Sequence, residues 1–399
     1  MIGRIRNAAF STSAKWTALA VTVLCIATVC SAAHVSCAAT LDISAPSAIL
    51  VEAHTGKVLF EKDADTQRPP ASMTKIMTLL LVMEALDRGQ ISTDDVVTAS
   101  ENAARMGGTQ IWLAAGEQMT VDDLLKSVAI ASANDAAVAL GEHVSGAEEV
   151  FVGLMNKRAV ELGATNTVFV NPTGLLRGGG GPENLTTARD LAIMSLELLN
   201  YPRVLDYTSI WIDQVRGGNP VLNNTNRFVR YYEGCDGLKT GYIESSKHCL
   251  TATAKRGDLR LVSVVMGAAT SDARYDDTRK LLDYGFANYQ AVPIAKAGQV
   301  LGAAPVSKGE LETVPVSPRS DFAIVLQKSE SRDVQQELVW TERLTAPIAE
   351  GQVVGSLVVS KDGQVLGSVD LVATEAVKRG HPVKLFFRSV RKLFGMVFR

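Results

Sequence analysis

Hydrophobic and polar positions along the chain change period twice. Ala48 to Ala53 and Val58 to Glu61 alternate as two strands joined by the turn His54-Thr55-Gly56-Lys57. Pro69 and Pro70 then stop the chain, and Met73, Ile76, Met77, Leu80 and Met83 recur at three- and four-residue steps, which predicts a helix starting near Ser72 with one buried face. Further helices are predicted from Thr120 to about Ser132, with Asp122 and Asp123 in the first turn, from about Asp135, and around Val150 to Leu162 and Thr187 to Leu199. The period returns to two at Gly237 to Gly241, His248 to Ala254 and Leu259 to Gly267, the last two strands meeting at the turn Arg256-Gly257-Asp258. A helix from about Ala273 to Tyr284 closes this unit near Phe286. Helices in the middle, flanked by strands from both ends, predict an α+β unit in which helices flank an antiparallel sheet.

Beyond Tyr289 the texture changes again, to short Val-rich runs broken by Gly, Pro and charged turns, as in Gln352 to Val359, Lys361-Asp362-Gly363 and Val365 to Ala373. This predicts a small β-rich, sandwich-like domain. The two ends belong to neither unit. Arg4, Arg6 and Lys15 precede the apolar run Trp16 to Cys30 and the small residues through Ala39, the three parts of a signal peptide. At the other end Val383, Phe386, Phe387, Val390, Leu393, Phe394 and Val397 fall on one helical face opposite Lys384, Arg388, Arg391, Lys392 and Arg399. That pattern predicts an amphipathic helix lying in an anionic membrane surface. The expected organisation is therefore a signal peptide (1–39), a catalytic domain (40–289), a β-rich domain (290–375) and an anchoring helix (376–399).

Composition excludes disordered, collagen-like and multi-spanning classes, with 47% hydrophobic and 21% charged residues. The formal charge of −2 hides a partition. The leader carries three positive charges and the last 24 residues carry seven, each without an acid, so the body between has a net charge of −12. An acidic body excludes nucleic acid as the expected partner. Outside the leader only Cys235 and Cys249 remain, and the sequence leaves open both a bridge across adjacent strands and two buried free thiols. Whether two copies form a homodimer is likewise open.

Several catalytic patterns are missing: there is no Gly-x-Ser-x-Gly elbow, no His-Glu-x-x-His, and the five histidines are scattered. No metal or other cofactor is expected, and His143 and His248 read as structural residues. What is present is Ser72-Met73-Thr74-Lys75 at a helix start, Ser132-Ala133-Asn134 between two helices and Lys239-Thr240-Gly241 on a strand. Ser and Lys three apart share a helical face, so the amine of Lys75 can reach the Ser72 hydroxyl. A serine without a suitable histidine needs as its base an amine whose pKa is depressed, and a neighbouring cation such as Lys239 supplies part of that depression. Ser132 would relay a proton to the leaving amine and Asn134 would hold the substrate amide. The Gly178 to Gly181 run lacks the Lys and Ser or Thr of a phosphate loop and reads as a loop at the edge of the site.

At these residues the sequence resembles the D-alanyl-D-alanine carboxypeptidases, the low-molecular-mass penicillin-binding proteins of the serine β-lactamase/transpeptidase fold. The resemblance extends to Pro69-Pro70-Ala71-Ser72, Asp236-Gly237-Leu238-Lys239-Thr240-Gly241, Met266-Gly267-Ala268 leading to Arg274, and Leu281-Leu282-Asp283-Tyr284-Gly285-Phe286. It implies acylation of Ser72 by stem peptides of peptidoglycan and by β-lactam antibiotics, with Lys75 as base. It implies further that Lys239 and Thr240 grip the substrate carboxylate, that Arg274 helps to read it, and that the backbone N–H groups of Ser72 and Tyr242 form the oxyanion hole. The implied location is periplasmic, on the outer face of the inner membrane. Tyr242 departs from relatives that carry His after Lys-Thr-Gly. Competing expectations are a DD-endopeptidase or β-lactamase with the same chemistry, and a non-catalytic wall-binding protein.

Overall fold

The computed structural model describes residues 41–176, 181–383 and 385. The leader, most of the glycine run and the tail from residue 384 onward, apart from Leu385, lie outside the described residues. Strands Ser47–Glu52 and Val58–Lys62 form the expected hairpin, and they join Leu259–Ala268, Lys247–Arg256 and Cys235–Ile243 in one antiparallel sheet. Within the sheet Leu259–Ala268 is central, and Cys235–Ile243, the strand that carries Lys239, lies at an edge.

Alternation gives this sheet two buried faces. Val262, Val264 and Met266 pack with Ile49 and the helix residues Met73, Ile76, Met77 and Leu80 on one side. On the other, helix Ser271–Asn288 lies so close that a Cβ on Gly285 would come within 2.5 Å of Leu261 and 3.1 Å of Leu50. The helix predicted near Ser72 differs from expectation in two ways. It opens with a 3-10 turn, Ala71–Thr74, and becomes α-helical only at Lys75–Asp87. It is also buried nearly all round, with Leu79, Leu81, Val82 and Ala85 as inaccessible as the predicted face. Helices Val121–Ala129, Asn134–Ser145, Glu148–Glu161 and Ala188–Leu199 surround it, which is why a single apolar stripe does not suffice. Thr120 and Thr187 cap two of these helices, each side chain accepting from the backbone N–H three residues on. Two short hairpins, Val96–Thr98 with Gln118–Thr120 and Ile212–Gln214 with Val221–Asn223, carry no period long enough to read.

Cys235 and Cys249 are both free and buried. The register explains why: Cys235 lies opposite Ala254 while Cys249 lies opposite Gly241, so the two sulfurs sit at different levels of the same strand pair.

Beyond Tyr289 the chain forms a second antiparallel sheet, ordered Gly302–Pro305, Thr313–Pro318, Gln364–Ala373, Val353–Lys361, Gln335–Trp340, and a separate pair, Tyr289–Ala295 with Phe322–Gln327. Val314, Val316, Phe322, Ile324, Val354, Leu357 and Leu371 form its core. Lys57 donates to the Val325 carbonyl (3.2 Å) and Lys328 to that of Phe286 (2.7 Å), tying this strand pair to the first unit. Beside those ties lies a cavity of about 590 Å³ lined by Leu199, Lys255, Arg260, Pro293 and Phe322 among others. Lys255 stands four residues along its strand from Thr251, the residue opposite Lys239, so this cavity lies about 13 Å along the strand from the level of Lys239.

Candidate active site

The site assembles where the 3-10 turn meets the edge strand. Ala71, immediately before Ser72, has φ +48°, a conformation that non-glycine residues seldom adopt. Close packing holds it there. A Cβ on Gly174 would lie 1.8 Å from the Ala71 carbonyl oxygen, and one on Gly241 would lie 2.6 Å from that of Pro70. Only glycine fits at either point, so the loop and the strand clamp the turn from two sides. A hydrogen-bond net fixes the loop in turn. Asn184 donates to Thr74 Oγ1 (2.9 Å) and its Oδ1 accepts from Val170 N, while Asn171 Oδ1 accepts from Thr173 N and Gly174 N. Thr78 Oγ1 donates to the Pro172 carbonyl at 2.7 Å.

Lys75 begins the α-helix and is fully buried. Its Nζ lies 3.1 Å from Ser72 Oγ, 2.6 Å from Asn134 Oδ1 and 2.9 Å from the Thr173 carbonyl oxygen. Burial, then the Lys239 cation, hold its amine well below the usual lysine range, with Asp135 opposing. Lys239 is buried as well, and burial followed by the Arg274 cation brings it down to about 7. Its Nζ donates to the Thr240 carbonyl (3.2 Å), and Thr240 Oγ1 lies 2.7 Å from Thr225 Oγ1.

Helix Val121–Ala129 ends before Ser132, which therefore sits in the connecting loop with φ +66°. Asn134 opens the next helix, and its Nδ2 donates to the Gly107 carbonyl at 2.8 Å, which turns Oδ1 toward Lys75. Asp135 beside it receives the backbone N–H groups of Ile111 and Leu113. Arg274 lies in the first turn of helix Ser271–Asn288, just after the loop that leads to it. It donates to the Cys249 carbonyl and to Ser271 Oγ, both at 3.2 Å, and its Nε has no hydrogen-bond partner. Tyr242 is exposed and its ring lies 4.5 Å from that of His248. His248, read from the sequence as a structural residue, packs its ring against Tyr242, and burial followed by Arg274 lowers its pKa. Glu197 closes helix Ala188–Leu199 in an ion pair with Arg158 at 2.5 Å.

Ser72 and Asn134 thus meet at the Lys75 amine, Lys239 is close enough to lower its pKa, and Ser132 stands two residues before Asn134. Sequence reasoning missed the Thr173 carbonyl, Gly174 and Asp135. The first acts through its backbone and the second through a missing side chain, so neither has a side-chain signature. Among the described residues no cluster of His, Cys, Asp and Glu could hold a metal ion.

Comparison with known proteins agrees with this arrangement. Residues 33–270 match the family described as D-alanyl-D-alanine carboxypeptidase, and residues 289–379 match the C-terminal domain of penicillin-binding protein 5. The D-alanyl-D-alanine carboxypeptidase DacF of Bacillus subtilis is 45% identical over 350 residues, 87% of this chain and 89% of that protein. Penicillin-binding protein 5 of Haemophilus influenzae superposes with a TM-score of 0.71 at 32% identity, covering 85% of this chain and 98% of that one. The ampicillin-bound form of penicillin-binding protein D2 from Listeria monocytogenes superposes at 0.56 with 34% identity, covering 61% of this chain and 98% of that one. With its clamped serine, buried lysine pair and β-rich second unit, the chain belongs to the D-alanyl-D-alanine carboxypeptidase family of serine-type penicillin-binding hydrolases.

Proposed function

We propose that this chain removes the terminal D-alanine from peptidoglycan stem pentapeptides through an ester on Ser72. The observation that carries the reading is the set of three contacts at Lys75 Nζ. A neutral amine has two N–H donors and one lone pair. Asn134 Oδ1 and the Thr173 carbonyl are acceptors only, so in the neutral form they take both protons. The lone pair is then left for Ser72, whose hydroxyl donates to it. A depressed Lys75 pKa keeps that neutral form populated, so burial and proton counting agree on the base.

Attack by Ser72 Oγ forms the C–O bond and passes the hydroxyl proton to Lys75. The N–H groups of Ser72 and Tyr242 would stabilise the oxyanion. Collapse breaks the C–N bond, and the proton travels from Lys75 through Ser132 to the departing D-alanine amine. Water then hydrolyses the ester. Lys239, Thr240 and Arg274 form the cationic, hydroxyl-bearing end of the cleft that suits the substrate carboxylate, and Asn134 borders the acyl side. A β-lactam enters by the same attack and leaves its acyl group on Ser72.

The decisive measurement is D-alanine release from a pentapeptide ending in D-Ala-D-Ala, beside a Ser72→Ala control. No release from the intact chain, or equal release from the control, would sink the assignment.

The leader and the basic tail support export to the periplasm and peripheral attachment to the outer face of the inner membrane. Among the described residues no helix is long and apolar enough to cross a membrane. Deleting residues from 378 onward should release the protein from membranes. Retention of the truncated chain in the membrane fraction would assign the anchor elsewhere.

A further inference from the structure

Three of the non-glycine residues with left-handed backbone surround the site: Ala71, Ser132 and Trp112, the last with φ +57°. The first two flank the chemistry already described. Trp112 has no part in it, yet its conformation is held from both sides. Ile111 N and Leu113 N donate to the Asp135 carboxylate at 3.1 and 3.0 Å, and Arg216 donates to the Ile111 carbonyl at 2.7 Å while pairing with Glu117 at 2.5 Å. The side chains of Ile111 and Leu113 are buried, whereas that of Trp112 is 71% exposed. A tryptophan gains more from burial than almost any residue. Here an uncommon backbone state, which costs energy, keeps one in solvent.

The loop that presents it borders the acyl side of the cleft. The Thr109 carbonyl accepts from Asn134 N at 2.7 Å, the Gly107 carbonyl accepts from Asn134 Nδ2, and Gly107 and Gly108 lie against Leu175, two residues beyond the carbonyl that binds Lys75. Lys239 and Arg274, the carboxylate end, belong instead to the edge strand and to helix Ser271–Asn288.

We propose that Trp112 is a specificity-determining residue. It is a platform for the stem peptide upstream of the scissile bond, and its π face receives the amine-tipped side chain of the residue that precedes D-Ala-D-Ala. Indole is the strongest aromatic partner for an ammonium group. The inference rests on the reading of the site as a stem-peptide cleft and adds the side chain that it selects.

The test compares acetyl-L-lysyl-D-alanyl-D-alanine, with its side-chain amine free, and acetyl-L-alanyl-D-alanyl-D-alanine. Binding is measured calorimetrically in a Ser72→Ala background, so a chain that binds without turnover still reports on Trp112. Trp112→Ala should weaken the lysyl peptide by about 2- to 30-fold and leave the alanyl peptide within about 2-fold, with Trp112→Phe intermediate. In the Ser72 enzyme the same selectivity should appear in KM with kcat unchanged, and the penicillin acylation rate should stay the same. Equal losses for both peptides, or none for either, would overturn the platform. Selective weakening of the lysyl peptide without any D-alanine release from the Ser72 enzyme would instead uphold the platform and remove the carboxypeptidase reading.

Discussion

The region around Ser72 and the sheet beyond Tyr289 are built to opposite rules. Around Ser72, buried polar and charged groups are dense: Thr74, Lys75, Thr78, Asn134, Asp135, Asn171, Thr173, Asn184 and Lys239 are all inaccessible. Beyond residue 289, Ser317 stands alone as a buried polar side chain among the described residues, and aliphatic side chains make the core. Ala71 and Ser132, with left-handed backbone, belong to the first region's machinery, whereas the left-handed residues of the second, Lys308, Arg343 and Asp362, lie outside its strands. The contrast teaches that cost is tolerated where it sets up a reaction. Desolvating two amines and bending the chain at the nucleophile both destabilise the fold, and the first region's large apolar core offsets them.

The sharpest way to break the contrast is Ser72→Ala. It should lower D-alanine release by roughly 10⁴-fold or more and abolish covalent labelling by penicillin, while the unfolding midpoint stays close to that of the parent. A variant that still labels would move the nucleophile elsewhere.

Next in size is a pair of glycines. Gly174→Ala places a Cβ against the Ala71 backbone and should cost about 3 kcal/mol or more together with most of the activity. Gly363→Ala, at φ +79° but with nothing within 4 Å, should cost only about 1 kcal/mol and leave activity intact. Equal costs in urea unfolding would show that the clamp is no tighter than an ordinary turn.

The lysines predict a pH response. Lys239 is protonated in the free enzyme below about 7, and its charge is what suits the substrate carboxylate. With Lys239 neutral above that point, kcat/KM should fall as pH rises through 7, and Lys239→Arg should flatten this alkaline limb. Lys75 must be neutral to act, so its own lowered pKa sets the acid limb. Stability moves the other way. The unfolded chain holds the Lys239 proton up to about 10.5 and the folded chain releases it near 7, so this group makes the fold more stable as pH rises across that window. A pH-rate profile unchanged by Lys239→Arg would detach the alkaline limb from this residue. The smallest effect belongs to the plain sheet. Val365 is 62% exposed, and Val365→Ala should shift stability by less than about 0.5 kcal/mol.

The two regions also differ in how far the sequence discloses them. Strands such as Lys247–Arg256 and helices such as Ala188–Leu199 follow from the alternation of residue types, from period and from caps. The Ser72, Ser132 and Lys239 motifs were legible because reactive side chains at fixed spacing leave a residue-type signature. The Thr173 carbonyl and the Gly174 contact leave none, since they depend on where a loop passes. The helix Lys75–Asp87 shows a related limit. Its stripe of five residues predicts one buried face, but only its central position reveals that every face is covered. The paired reading of Cys235 and Cys249 fell to register, which a sequence does not carry.

The two glycine contacts that clamp the Ser72 turn have an evolutionary consequence. A lineage pressed by β-lactams gains if its nucleophile becomes harder to acylate, and loosening the turn would be a direct route. Single substitutions at Gly174 or Gly241 cannot take that route gradually, because any side chain there meets backbone that has nowhere to go. Change that spares the wall peptide while discouraging the drug is therefore channelled to the rim, where the Tyr242 side chain faces solvent and can vary without collapsing the turn beneath it.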